Sequence, residues 1–167
     1  MKVLVSAASR HGATTDVASA IADALRAHGL DALLVTPDAV ETLEGIDAAV
    51  IGSAIYIGRW LEPARDLVER HHEALRRMPV WLFSSGPVGN PPKPADDPID
   101  VSPLVALVGA REHRDFAGFV DRRRLGLAEK AIMAAVRAPE GDFRPWPAIE
   151  AWAAGIAESL EATAARD

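Results

Sequence analysis

Short apolar runs alternate with longer helical patterns along this whole chain, and that alternation limits the folds open to it. Val3-Leu4-Val5 breaks into small and polar residues, and a helical pattern then runs from Thr14 to about His28. Val17, Ala18, Ile21, Ala22 and Leu25 form its apolar stripe, and Gly29 stands where a helix C′ residue belongs. Ala32–Val35 reads as a second strand, and Pro37-Asp38 starts a turn or short helix to Leu43. Ala48-Ala49-Val50-Ile51 is apolar at every position, as expected of a strand buried on both faces. A loop, Gly52–Gly58, separates it from a helix over about Leu61–Arg77. Pro79–Ser84 reads as the fourth strand, opening into Ser85–Gly89 and an irregular proline- and acid-rich stretch, Asn90–Asp97. Ser102-Pro103 marks a helix start, with Ser at N-cap and Pro at N1, and Gly109 stops that helix. Arg114–Phe119 is the fifth strand, Leu125–Val136 is helical, and a last helix opens at Pro147.

Strands that alternate with helices make a parallel sheet covered on both faces. The expected class is α/β, a three-layer doubly wound sheet of five strands in the flavodoxin-like order 2-1-3-4-5. No repeat or linker divides the chain, so one domain is expected over residues 1–167. Ligands of such sheets sit beyond the carboxyl ends of the strands, where the strand order reverses. The Gly- and Ser-bearing loops after strands one, three and four meet at that edge.

Composition removes several function classes. A net charge of −6 argues against a general nucleic-acid binder. With no cysteine there is no disulfide, thiol catalysis or Cys-ligated iron–sulfur cluster, so redox chemistry would sit on a bound organic cofactor. No apolar run approaches the ~18 residues that span a bilayer. Val3–Ala8 is too short and interrupted for a signal peptide, which makes the cytoplasm the default location.

The first loop carries the chemistry. Strand, small polar loop and helix N-terminus together form a cradle in which N–H groups and the positive end of the helix dipole converge. Gly12 admits an oxyanion close to the backbone, and Ser9, Thr14 and Thr15 add hydroxyls. Neither G-x-x-x-x-G-K-[ST] nor G-x-G-x-x-G is present, which excludes a P-loop NTPase and the dinucleotide fingerprint. Ser9-Arg10-His11-Gly12-Ala13-Thr14 resembles the flavodoxin phosphate loop, [ST]-x-T-G-x-T, which holds the phosphate of FMN; the departure is His11, where the family usually has Thr. Val50–Gly58, followed by Ala64 and Leu67-Val68, resembles the flavodoxin-like, menaquinone-dependent protoporphyrinogen dehydrogenases, as do Phe116-Ala117-Gly118 and a Trp-led last helix.

The resemblance implies FMN as cofactor and electron transfer or oxidoreductase activity, with protoporphyrinogen oxidation as the narrower expectation. Its phosphate is expected in Ser9, Arg10, His11, Gly12, Ala13 and Thr14. The ring is expected between Ala54, Ile55, Tyr56, Ile57 and Gly58 on one side and Ser85, Gly86, Pro87, Val88 and Gly89 on the other. Tyr56, the one tyrosine, is the candidate ring contact; otherwise it packs on the following helix. Trp60 borders the pocket or packs the helix start. Arg10 neutralises a phosphate or stands solvated, and His11 donates to a phosphate or stands exposed. His71 and His72 point in different directions on a helix, so no metal site is expected. No catalytic acid or base is assigned. Arg122–Arg124 is a solvated basic turn, or it meets an anionic substrate or lipid headgroups. The redox partner is not named by the sequence, and a homodimer and peripheral membrane contact stay open. The competing reading is a flavodoxin-fold interaction or signalling module without flavin. A phosphorylated receiver is disfavoured, because strand one ends in Ser6-Ala7-Ala8-Ser9 and strand three in Gly52-Ser53-Ala54, with no carboxylates for Mg²⁺ or phosphoryl acceptance.

Overall fold

Each apolar run becomes a strand, and the strands are longer than their apolar cores. The computed structural model describes residues 1–56, 58–86, 101–135 and 140–165. β1 (Lys2–Ala8) leads through α1 (Ala13–Ala27) to β2 (Asp31–Leu34). β3 (Ala48–Tyr56) folds back onto the two-residue β4 (Arg59–Trp60), followed by α2 (Glu62–Arg70) and α3 (His72–Leu75). β5 (Val80–Ser85), α4 (Ser102–Val108) and β6 (Glu112–Phe116) come next. A small ribbon of β7 (Phe119–Val120) and β8 (Gly141–Asp142) brackets α5 (Leu127–Ala135), and α6 (Trp146–Ala164) ends the architecture.

The main sheet runs β2-β1-β3-β5-β6, all parallel, with β4 pairing antiparallel to the end of β3. Setting β4 aside, this is the expected order 2-1-3-4-5. Alternate residues of the central strands feed two cores. Val3, Val5, Ala7, Ala48, Val50, Trp81 and Phe83 face α1 and α6, whereas Leu4, Ala8, Ala49, Ile51, Val80 and Leu82 face α2, α3 and α4. Both faces are dry, so the central strands are apolar at successive positions. On the first face Phe83, Phe116 and Trp152 pack as a tilted and edge-on trio, with centroids 5.5–6.3 Å apart. Such pairs add ~0.5–1.5 kcal/mol each beyond the area they bury.

Four local expectations are corrected. Ala54, Ile55 and Tyr56 belong to β3, because pairing with β4 and β5 extends the strand through the polar Gly52-Ser53 step. The long helix is interrupted at His71, although the bonds His71 N–H to Leu67 O and Leu75 N–H to His71 O carry its pattern across the break. The α4 N-cap is Val101 rather than Ser102; Ser102 and Pro103 fill the first turn, where a missing N–H costs nothing. β6 starts at Glu112 and ends at Phe116, matched residue for residue to β5 from Trp81 to Ser85. Its charged sequence, Glu112-His113-Arg114-Asp115, suits an edge strand and hides the usual alternation.

Candidate functional site

The carboxyl ends of β1, β3 and β5 converge as expected. Ala8 lies beside Ser53, Ala54 beside Ser85, and Ser85 beside Phe116. Gly86, at φ 103°, turns the chain off β5 and donates its N–H to the Phe116 carbonyl at 2.9 Å. A Cβ on Gly118 would stand 3.5 Å from the Gly86 Cα, so these two loop bases touch through backbone alone.

Gly12 is the N-cap of α1 and sits in the left-handed region, φ 90°. Ser9 Oγ accepts the N–H of Gly12 at 3.0 Å and that of Thr14 at 3.3 Å, which closes the loop into a tight turn. Thr14 is buried, while Ala13 and the side chains of Arg10 and His11 remain accessible. A Cβ placed on Gly12 meets nothing within 4 Å, so the space above the loop is open.

The segment between β6 and α6 reaches over this loop. Glu129, in the first turn of α5, places one carboxylate oxygen 3.1 Å from Arg10 Nε and 3.0 Å from His11 Nε2. A carboxylate offers only acceptors, so His11 donates from Nε2. The other Glu129 oxygen accepts the Gly126 N–H at 2.8 Å. That N–H, then the bond from His11, hold the Glu129 carboxyl below the usual carboxylate range. Arg124 Nη1 donates to the His11 carbonyl at 3.1 Å. Arg144 donates to the Ala13 carbonyl, pairs with Asp16 at 2.9 Å and Asp142 at 2.7 Å, and packs on the rings of Phe119 and Trp146. It ties the β7–β8 ribbon to the first turn of α1.

At the other end of the site, Arg10 lays its guanidinium over the Tyr56 ring, 4.4 Å from the centroid. Arg10 therefore joins the first loop to the second. Gly58, at φ 68°, closes the turn into β4. Trp60 is buried and donates from Nε1 to Ser84 Oγ at 2.8 Å, and Ser84 Oγ lies 2.8 Å from His113 Nε2. The indole can only donate, so Ser84 Oγ accepts from Trp60 and uses its remaining hydrogen-bonding capacity on His113 Nε2. Burial pushes the His113 imidazole down, against the opposing pull of Asp115. Serine, histidine and aspartate stand together here without forming a nucleophile. Ser84 is fully buried, and Asp115 approaches Nε2, at 3.7 Å, rather than Nδ1. Ser85 is buried beside Gly86 at the end of β5. Ile57, Pro87, Val88 and Gly89 lie outside the described residues.

Comparison with known proteins agrees with this geometry. Residues 4–144 match the family described as Flavodoxin domain. The chain belongs to the flavodoxin family. Over 95 residues it is 30% identical to the protoporphyrinogen IX dehydrogenase [quinone] of Escherichia coli K12, a match covering 56% of this chain and 52% of that protein. The chain thus spans about half the length of the curated relatives it matches. Among solved structures, a flavodoxin variant from Pseudomonas aeruginosa superposes with a TM-score of 0.65 at 18% identity, over 96% of this chain and 99% of the other. The rubredoxin oxygen:oxidoreductase of Desulfovibrio gigas gives 0.68 at 13% identity, over 96% of this chain and 36% of the other. At these identities the likeness is one of fold.

The structure brings the first loop, Tyr56 and the Ser85-Gly86 turn to one edge and adds Glu129 and Arg144, which sequence reasoning missed, and Arg124, which it read only as part of a basic turn. Gly126 and Glu129 do carry a local signal, the N-terminal half of a capping box. Nothing local announces a partner at position 11. Arg122–Arg124 form a 3₁₀ turn in which Arg123 is paired with Asp121. Arg122 and Arg123, with Lys130, Ala134 and Glu140, line an open groove of about 390 Å³. Among the described residues no helix is long and apolar enough to cross a membrane.

Proposed function

We propose that this protein binds FMN at the carboxyl edge of its sheet and acts in electron transfer or as an oxidoreductase. The observation that carries the reading is the open cradle at Gly12, flanked by Arg10 and His11 at a helix N-terminus. The donor set fits a phosphate: loop N–H groups other than those of Gly12 and Thr14, which Ser9 Oγ takes, a guanidinium, an imidazole and the positive end of a 15-residue helix. Ser9, Arg10, His11, Gly12, Ala13 and Thr14 would hold the phosphate, and Ala54–Gly58 with Ser85–Gly89 the ring. When bound, the isoalloxazine supplies the redox chemistry, so no side chain has to act as nucleophile or base. The chain's own part is positioning. Arg144 braces the first turn of α1, Trp60 and Ser84 fix the β4 hairpin, and the Gly86–Phe116 bond fixes the start of the third loop.

A single cradle without a dinucleotide fingerprint favours FMN over FAD and riboflavin. FMN is expected to bind at least about 10-fold more tightly than riboflavin, which lacks the charge that the loop and dipole stabilise. Fluorescence titration of apoprotein with both flavins measures the ratio, and equal affinities would count against the assignment.

The narrower proposal is that a reduced porphyrinogen, or another flat reductant with carboxylates, docks over the exposed ring edge. The relative from Escherichia coli and the groove lined by Arg122, Arg123 and Lys130 support it. Exposed arginine–carboxylate pairs contribute only ~0–1 kcal/mol each, so affinity would come chiefly from apolar contact with the flavin and Tyr56. The test is anaerobic mixing of oxidised holoprotein with protoporphyrinogen, following flavin bleaching and porphyrin appearance. Substrate assignment fails if the flavin stays oxidised while a chemical reductant bleaches it. A second reading, a flavin-free interaction module, is favoured by the Glu129 carboxylate on Arg10 and His11. Purified protein that stays colourless and does not take up FMN would select it. Quinone coupling, a redox partner, membrane contact and a homodimer belong with these proposals.

A further inference from the structure

We propose that Glu129 determines phosphate specificity at this site by competing, with its own carboxylate, for the Arg10 and His11 donors that a bound phosphate uses. The inference rests on the flavin reading only for the ligand's identity; its physical content concerns any phosphate at Gly12.

Three observations carry it. First, a single Glu129 oxygen meets both side-chain donors of the loop, the Arg10 guanidinium at 3.1 Å and the His11 imidazole at 3.0 Å, the groups by which a phosphate oxygen would be held. Second, Glu129 is anchored without them. Its second oxygen takes the Gly126 N–H at 2.8 Å as the N3 residue of α5, so the helix start presents the carboxylate to the loop. Third, the same contact holds Arg10 over Tyr56, 4.4 Å from the ring centroid, so one side chain couples the phosphate end to the ring end. The Gly126 N–H, followed by the His11 bond, lowers the Glu129 carboxyl from its ordinary value, in keeping with the geometry.

Two anions on one pair of donors repel each other. The Ser9 Oγ turn and the open space at Gly12 remain for a phosphate, but its side-chain donors, Arg10 and His11, are shared. The site therefore gives up part of the FMN-over-riboflavin preference that the loop alone would provide. Removing the Glu129 charge returns both donors to the ligand.

The experiment compares wild type, Glu129→Gln and Glu129→Ala, each checked for folding by circular dichroism. Inorganic phosphate, FMN and riboflavin are titrated, with phosphate read as the rise in melting temperature that a native-state ligand produces. Both variants are expected to bind phosphate and FMN about 10-fold more tightly, with riboflavin unchanged. In the wild type, the carbon-13 signal of the Glu129 carboxyl is expected to move as phosphate is added, a measurement that needs no variant. Phosphate affinity equal to or weaker than wild type in the folded variants, or a Glu129 signal that stays still while phosphate binds, overturns the proposal. If phosphate tightens but neither flavin binds any of the three proteins, the flavin reading falls and the role of Glu129 stands. If FMN binds all three with one affinity and phosphate does the same, the role of Glu129 falls and the flavin reading stands.

Discussion

Gly52→Ala is expected to destabilise the protein by about 2–4 kcal/mol, a large part of the stability of an ordinary domain. Gly52 lies at the middle of β3, paired with Ala7 of β1 and Phe83 of β5. A Cβ there would overlap the outer carbons of the Phe83 ring, far inside van der Waals contact. That ring is fully buried and held by Phe116 and Trp152, with centroids 6.3 and 6.2 Å away, so it has no empty space to retreat into. The expected fall in melting temperature is roughly 5–15 °C for a chain of this size. Combining Gly52→Ala with Phe83→Leu should cost less than the sum of the single changes, because the smaller side chain makes room for the methyl group. A Gly52→Ala protein that melts within about 2 °C of wild type would mean that the aromatic trio repacks freely and does not set the spacing of β3 from α1 and α6.

The glycine that matters most to the core was read from sequence as the first residue of a loop. The reason is physical: Gly52-Ser53 lacks the apolar signal of a strand, and its strand character comes from neighbours on both sides rather than from its own residues. The alternation of strands and helices was legible because both sheet faces are covered, which makes Ala48–Ile51 apolar throughout and gives α1 its clean stripe. β6 starts two residues and ends three residues earlier than read, since an edge strand built from Glu112, His113, Arg114 and Asp115 shows neither alternation nor a run. In the site, Gly12 was legible from local chemistry, as a residue between a strand and a helix that admits an oxyanion close to the backbone; its positive φ came from the structure. The grouping of Tyr56, Ser85 and Gly86 with it followed from topology. Glu129 was not legible: it meets a histidine 118 residues away in sequence. Its helix is placed by the Arg124 and Arg144 contacts to the His11 and Ala13 carbonyls, long-range bonds that no local pattern encodes.

Gly12→Val is expected to weaken FMN binding about 100-fold, ~2.7 kcal/mol, while leaving the protein folded. Two effects act together and can be separated. Any L residue at φ 90° carries backbone strain of ~1–3 kcal/mol, which loosens the N-terminal turn of α1 and shows as a lower melting temperature. A branched side chain also fills the space that is open above Gly12 and holds an oxyanion away from the loop N–H groups. Gly12→Ala shares the strain but projects only one methyl, so it should reproduce most of the stability loss and much less of the binding loss. Riboflavin, which brings no phosphate to the cradle, should lose far less affinity than FMN in the valine variant. The measurement is a pair of flavin titrations on wild type and the two variants at a temperature where all are folded. Unchanged FMN affinity in folded Gly12→Val would remove the phosphate from this loop, and with it the observation on which the proposed function stands. Equal losses for FMN and riboflavin would move the valine's effect from the phosphate to the ring.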